Sequence, residues 1–369
     1  MEPIRVLIVD DTVIVRRLVT QVLQESPDVE VVGTASHGRI ALAQIPLLKP
    51  DVVTLDIEMP VMDGLQTLEE LRKQWPDLPV IMFSTLTERG AEATLDALAL
   101  GANDYVTKPS QLNDRAAAVD AVRSALLPLV RHWGRFRQAS RTGAPGVPAR
   151  PAPSASITMP APARDAQSRT VSAVVIGIST GGPNALASMI PQLPAGLPVP
   201  IFIVQHMPPV FTRFLAERLD KTSAITVAEA QDGMIAEPGS AYVATGGHHL
   251  VLRRQGTSVA LGLDDGPMEN SCRPAVDVTL RSAAEVYGSG VLAVVMTGMG
   301  NDGSVGAGAV RALGGRVFAQ DEATSVVWGM PGHVVRGGYA DAVLPLGDIA
   351  AAIATAATSN RRPVGMRVS

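Results

Sequence analysis

The sequence has a single cysteine, few aromatic residues and no excess of positive charge. One cysteine among 369 residues leaves no partner for an intrachain disulfide, which is typical of proteins from reducing compartments. Aromatic residues make up 4%, and 35 acidic against 31 basic side chains give a net charge of −4, which argues against a nucleic-acid-binding protein. No apolar run reaches the about 18 residues that span a bilayer, and the first residues do not form a signal-peptide pattern. We therefore expect a cytoplasmic protein that does not insert into membranes.

The chain divides around a segment without apolar periodicity. From about Gln138 to Thr170 it is rich in Pro, Ala, Gly and Ser, a composition that cannot bury a core and is typical of a semi-flexible tether. We predict a first domain over residues 1–125, a Pro/Ala/Arg-rich linker over 126–170 and a second domain over 171–355.

In the first half, polar side chains follow the ends of apolar runs. These runs alternate with amphipathic helical patterns, which predicts a doubly wound parallel sheet with its ligand crevice at the carboxyl ends of the strands. The polar residues at those ends are Asp10, Asp11, Asp56, Ser84 and Lys108. Three carboxylates in one crevice would repel each other unless a divalent cation or a lysine held them together. The alternative is a set of unrelated turns, because Asp is common in turns.

These residues carry a resemblance to a known family. Asp10-Asp11, Asp56-Ile-Glu-Met-Pro60, Ser84 and Thr107-Lys108-Pro109 together resemble the receiver domain of two-component response regulators, which has a flavodoxin-like fold. The resemblance implies that a histidine kinase phosphorylates Asp56 and that Mg²⁺ is held by Asp11, Asp56 and the backbone carbonyl of Glu58, with Asp10 assisting through water. It also implies that Lys108 pairs with the phosphoryl oxygens and that Ser84 and Tyr105 form the phosphorylation switch.

In the second half, a serine lies in a glycine-rich turn. An apolar strand pattern, Val171–Ile176, runs into Gly177-Ile-Ser-Thr-Gly-Gly182, and glycines beside Ser179 permit a sharp strand-to-helix turn. Two further strand ends are followed by His206 and by Asp302 in a glycine-rich loop. Parallel strands in a second, mostly parallel α/β domain would bring a nucleophile, a base and an orienting carboxylate to one edge of the sheet. Alternatively, the turn binds phosphate or is structural, and the His and Asp residues have no catalytic role.

Four segments of the second half carry another resemblance. They are Gly177-Ile-Ser-Thr-Gly-Gly182, Gln205-His-Met-Pro208, Arg273-Pro-Ala-Val-Asp277 and Thr297-Gly-Met-Gly-Asn-Asp-Gly303. They resemble the catalytic domain of the chemotaxis protein-glutamate methylesterases of the CheB family, in which a receiver, a linker and this domain follow in the same order.

This resemblance implies an enzyme that hydrolyses glutamate methyl esters on chemoreceptors and deamidates certain receptor glutamines. Ser179 would be the nucleophile, His206 the base and Asp302 the group that orients the base, and no cofactor is expected for ester hydrolysis. The backbone N–H groups of Thr180 and Met299 are the expected oxyanion donors. Cys272 is expected to be inert, because the sequence shows no partner base for it.

Two other functions remain open from the sequence. A response regulator with a nucleic-acid output would need a basic recognition helix, whereas the second half contains glycine-rich strands. An interaction module that retains an inactive hydrolase fold would show the same motifs. For an active enzyme, we expect the unphosphorylated receiver to shield the active site and phosphorylation of Asp56 to weaken that docking.

Overall fold

The structure is a computed structural model, which describes residues 2–109, 115–142 and 170–358. The chain forms two compact units that divide between Ser154 and Ala155, inside the segment that we predicted to be a linker. Most of that segment, residues 143–169, lies outside the described residues. No helix of the described ranges is long and apolar enough to cross a membrane.

The first unit is a five-stranded parallel sheet with the strand order β2-β1-β3-β4-β5. Its strands are short apolar runs, and those of β3 and β4 are buried at every position because helices cover both faces. The elements are β1 (Ile4–Val9), α1 (Val13–Gln24), β2 (Val29–Ala35), α2 (Gly38–Leu48), β3 (Val52–Asp56), α3 (Gly64–Gln74), β4 (Val80–Ser84), α4 (Glu88–Ala99), β5 (Asp104–Thr107) and α5 (Arg115–Thr142). The doubly wound sheet predicted from the sequence is confirmed.

Helix α5 continues past residue 125, where we expected the first domain to end. The leucines and the valine between positions 126 and 130 are buried, so this continuation completes the core of the first unit. A Cβ atom at Gly134 would lie 2.2 Å from the Cγ2 atom of Ile4, which shows how closely the helix approaches β1. Farther along, Arg141 pairs with the buried carboxylate of Asp51 at 3.0 Å. These contacts explain why residues 126–142 are helical.

The second unit is a seven-stranded sheet, parallel throughout, with the order β14-β13-β12-β6-β7-β9-β8 and a separate antiparallel hairpin of β10 and β11. The mostly parallel α/β architecture predicted from the sequence is therefore confirmed. The strands are β6 (Ala173–Ile178), β7 (Ile201–Gln205), β8 (Thr226–Glu229), β9 (Ser240–Val243), β10 (His249–Gln255), β11 (Ser258–Asp264), β12 (Val291–Val295), β13 (Arg316–Gln320) and β14 (Ala342–Leu344). The helices are α6 (Gly182–Met189), α7 (Phe211–Thr222), α8 (Val276–Tyr287), α9 (Ser304–Ala312), α10 (Met330–Arg336) and α11 (Leu346–Thr358).

The three strands that precede the candidate catalytic residues are neighbours at the centre of this sheet. Gly177 of β6 pairs with Val204 of β7 on one side and with Val295 of β12 on the other. All three strands are parallel and fully buried, so the segments that follow them emerge at the same edge. The sheet thereby brings three distant parts of the chain together.

Candidate active site

Ser179 is fixed by its backbone at the end of β6. Its N–H donates to the carbonyl of Thr297 at 2.9 Å, and its carbonyl accepts from the side-chain amide of Gln205 at 3.0 Å. Two glycines make this turn possible: Gly181 has φ +75°, and a Cβ atom at Gly182 would lie only 1.8 Å from Gln205 Oε1. The serine is thus held by the two neighbouring strand ends.

His206 lies one residue beyond β7 and reaches toward Asp302. Its N–H donates to the carbonyl of Ile178 at 3.1 Å, which ties the residue to the end of β6. Its Nε2 lies 2.8 Å from Asp302 Oδ2, and its Nδ1 lies 3.5 Å from the Cys272 thiol. Burial by itself lowers the pKa of His206, but the hydrogen bonds with Asp302 and Cys272 outweigh burial and raise it to about 9.

Asp302 is a buried carboxylate surrounded by hydrogen-bond donors. Its Oδ1 accepts from the N–H groups of Asp277 and Gly303 and from the Asn270 amide, at 2.9–3.0 Å, and its Oδ2 accepts from the N–H of Val276 at 2.7 Å. Burial opposes the charge, but the bond with His206 and these donors hold the pKa of Asp302 below its usual range. The carboxylate is therefore ionised and its orientation is fixed.

The loop after β12 passes close to the serine. A Cβ atom at Gly298 would lie 2.8 Å from Ser179 Cβ and 2.3 Å from the sulfur of Met330, so only glycine fits there. In the described ranges, the backbone N–H groups of Thr180 and Met299 donate to no other protein group. Two N–H groups that have no acceptor among the described residues thus lie on segments that flank Ser179, as an oxyanion site requires.

Three residues around this site could not be assigned their contacts from the sequence. Cys272 was expected to be inert, yet its thiol contacts the imidazole of His206. Asn270 and Asp277 both bond to Asp302. The available signal was the Arg273–Asp277 motif, which contains Asp277 and directly follows Asn270-Ser-Cys272, but only the fold places that motif beside the loop that carries Asp302.

The first unit contains a second site at the carboxyl ends of β1, β3 and β5. Lys108 Nζ lies 2.9 Å from Asp10 Oδ2 and 2.7 Å from Asp56 Oδ2. One oxygen each of Asp10, Asp11 and Asp56 lie within 4.8 Å of one another, which suits a hard divalent cation with oxygen ligands. Burial, followed by the charge of Asp10, raises the pKa of Asp56 to about 6. Burial alone would lower the pKa of Lys108, but the hydrogen bonds that its ammonium donates to Asp56 and Asp10 raise it.

The remaining predicted residues lie after β3 and on the next two strands of the sheet, β4 and β5. The N–H of Glu58 points to Asp56 Oδ1 at 3.4 Å. Ser84 ends β4, where its buried hydroxyl donates to the carbonyl of Gly90 at 3.0 Å and accepts from Thr94 at 2.7 Å. Tyr105 is on the adjacent strand β5, and burial raises its pKa. The contact between Ser84 and Thr94 of α4 could not be read from the sequence.

Comparisons with known proteins match both units. A family model described as CheB methylesterase matches residues 174–353, and one described as response regulator receiver domain matches residues 6–120. A protein-glutamate methylesterase/protein-glutamine glutaminase of Trichodesmium erythraeum is 48% identical over 95% of this chain and 98% of its own length. One from Nocardioides sp. is also 48% identical, over 94% of this chain and 93% of its own length. The solved catalytic domain of Thermotoga maritima CheB methylesterase is 51% identical, covers 50% of this chain and 98% of its own, and has a TM-score of 0.49.

Proposed function

The chain belongs to the CheB family of protein-glutamate methylesterases and protein-glutamine glutaminases with an N-terminal receiver, and we propose that Ser179, His206 and Asp302 catalyse its reaction. The observation that carries the proposal is the 2.8 Å bond between His206 Nε2 and Asp302 Oδ2, next to a serine held by the same strand ends. An ionised carboxylate in this position fixes the imidazole tautomer and stabilises its protonated form.

In the proposed reaction, Nδ1 of His206 takes the proton of Ser179 as Oγ attacks the γ-carbonyl of the substrate. Nδ1 has this role because Asp302 engages Nε2, and Ser179 Oγ would replace the Cys272 thiol that contacts Nδ1 at 3.5 Å in the structure. The imidazolium then gives its proton to the leaving group, methanol from an ester or ammonia from an amide. Water attacks the acyl-enzyme by the same acid–base route and regenerates the serine with a free glutamate side chain.

The negative charge on the tetrahedral intermediate needs donors that are already in place. The N–H groups of Thr180 and Met299 have no acceptor in the part of the chain that the structure describes, which supports the proposal that these two residues form the oxyanion site. One such donor typically contributes about 10²–10³ in rate, because it points at charge that develops only in the transition state. The carbon and oxygen framework of an ester and of a primary amide is nearly the same around this carbonyl, which fits the family's two activities.

The family's activity implies methylated protein substrates, and we propose that these are the methylated glutamates of chemoreceptors. The receiver implies a phosphodonor kinase, for which we propose a histidine kinase that phosphorylates Asp56. The three clustered carboxylates and Lys108 support this role, because phosphoryl transfer depends on positioning and charge neutralisation.

We propose that Asp11, Asp56 and the Glu58 carbonyl hold Mg²⁺ in this receiver and that Asp10 assists through water. When bound, the ion would neutralise charge on the phosphoryl oxygens. Lys108 would pair with the same oxygens, since its ammonium already contacts Asp56. Ser84 and Tyr105 would then form the switch, and the bond from Thr94 to Ser84 gives the switch a direct connection to α4.

A methanol-release assay on methylated receptor tests the catalytic proposal. We expect Ser179→Ala to abolish release, while near-normal turnover in this variant would refute the assignment.

The same assay with and without a small phosphodonor, on wild type and Asp56→Asn, tests the regulation. Stimulation in wild type but not in Asp56→Asn is expected if the unphosphorylated receiver shields the active site, whereas equal rates in all four reactions would contradict shielding.

A further inference from the structure

A tight turn brings two side chains into contact with His206 and Asp302. Glu269 and Cys272 bond to each other through both backbone groups, at 2.8 and 3.2 Å, and Asn270 and Ser271 between them have φ +51° and +60°. Positive φ at both central residues is the geometry of a type I′ turn, which Asn tolerates better than most residues. From this turn, the Asn270 amide reaches Asp302 and the Cys272 thiol reaches His206.

The amide of Asn270 bridges two buried carboxylates. Its Nδ2 lies 3.0 Å from Asp302 Oδ1 and 3.0 Å from Asp277 Oδ2, so each of its two hydrogens has its own acceptor. Both carboxylates are only 2% exposed. Burial raises the pKa of Asp277, and the charge of Asp302 adds to this effect. A neutral double donor between them therefore relieves part of the repulsion without a cation.

We propose that Asn270 is a positioning residue for hydrolysis, holding Asp302 by Oδ1 so that Oδ2 stays aligned with His206 Nε2. The inference rests on the proposed roles of Asp302 and His206. Asn270 itself is exposed to solvent, yet its amide bonds to two almost fully buried carboxylates, which a turn with a purely structural function does not require.

The charged groups around Asp277 and Asp302 favour a positioning role for Asn270. Asp277 also accepts from the N–H of Gly306 at 2.6 Å, which fixes its other oxygen. Arg281, whose charge lowers the pKa of Asp277, is already engaged by Glu269 on the same turn. The Asn270 amide is therefore the side-chain donor that Asp277 and Asp302 share.

The test compares variants of the full chain by kcat, KM and the pH dependence of kcat. Asn270→Gly removes the amide but keeps a residue that accepts positive φ, so the turn is preserved. Asn270→Asp keeps the shape and replaces the donors with a third carboxylate. The matched control is Ser271→Ala, which changes the neighbouring, exposed residue of the same turn.

For Asn270→Gly we expect kcat to fall about 10- to 100-fold, the range that one charge-assisted hydrogen bond contributes. KM should stay within a factor of about two, because the amide is not assigned a substrate contact. The ascending limb of the plot of kcat against pH should move to lower pH, because an Asp302 carboxylate that is held less firmly stabilises the His206 imidazolium less. In Asn270→Asp the loss should be larger and the limb should move to higher pH, because added negative charge favours imidazolium.

Four outcomes separate this inference from the proposed function. Normal kcat in Asn270→Gly beside an inactive Ser179→Ala would overturn the positioning role alone. A loss of kcat without any shift of the limb, or an equal loss in Ser271→Ala, would also overturn it, because either result indicates a structural role of the turn. Activity in Ser179→Ala would instead overturn the catalytic assignment on which the inference rests.

Discussion

Replacing Asp302 by asparagine tests the proposed proton pathway, and its effect follows from the donors around this carboxylate. Oδ1 faces three donors, from Asn270, Asp277 and Gly303, whereas Oδ2 faces His206 Nε2 and one backbone N–H. The single oxygen of an asparagine satisfies more donors on the Oδ1 side, which leaves its NH₂ group toward His206. Because NH₂ donates, Nε2 must then accept, and the imidazole proton moves to Nδ1. That nitrogen is the one that must receive the proton of Ser179.

We expect the wrong tautomer in Asp302→Asn to lower kcat about 10⁴-fold, the loss observed for the corresponding change in a serine protease, or about 5.5 kcal/mol in activation free energy. The assay is methanol release across pH. In wild type the rate should rise as pH passes about 9, because only neutral His206 acts as base. In Asp302→Asn the rise in rate should occur at lower pH, because the hydrogen bond with Asp302 is the largest cause that raises the pKa of His206.

The matched control is Asp341→Asn, which alters another carboxylate that accepts a backbone N–H in the same unit, at Val317. It should retain wild-type kcat even if the protein becomes less stable. A loss below about tenfold in Asp302→Asn, or an unshifted limb, would refute the reasoning.

Three further predictions follow. Gly298→Ala should lower kcat by about 10²-fold, because its Cβ atom would lie 2.8 Å from Ser179 Cβ and displace the nucleophile. Cys272→Ala should move the ascending limb of the pH profile to lower pH, because the thiol contact helps to raise the pKa of His206; Cys272→Ser should move it less. Gly134→Val should lower the thermal transition of the receiver by overpacking α5 against β1, at a cost of about 1–3 kcal/mol in the free energy of unfolding.

Each of these has a control or an opposing outcome. Gly347→Ala adds the same methyl group where nothing lies within 4 Å and should leave methanol release unchanged. An identical pH profile in Cys272→Ala and wild type would show that the thiol does not influence the imidazole. An unchanged receiver transition in Gly134→Val, measured by calorimetry, would contradict the close packing of α5.

The sequence was sufficient to predict the elements that carry chemistry, because buried parallel strands leave a clear apolar run that stops at a polar residue. Asp56, His206 and Ser179 all follow such runs. A one-dimensional pattern therefore locates the edge at which a doubly wound sheet collects its functional side chains.

Contacts that depend on loop conformation could not be predicted. Cys272 and Asn270 reach His206 and Asp302 only because a turn with two positive φ values folds the chain back, and neither residue type demands that turn.

The continuation of α5 could not be predicted for a different reason. Its apolar residues near position 130 are buried by packing on α1 and β1, while the Pro-, Ala-, Gly- and Ser-rich composition that follows suggested a linker.

Covalent labelling with a sulfonyl fluoride, read by peptide mass spectrometry, tests the central claim most directly. Our account predicts a single adduct on Ser179 that forms in parallel with the loss of methanol release and is strongly reduced in His206→Gln. Inactivation with the adduct on Cys272 instead, or full labelling of Ser179 in His206→Gln, would contradict the claim that His206 activates this serine.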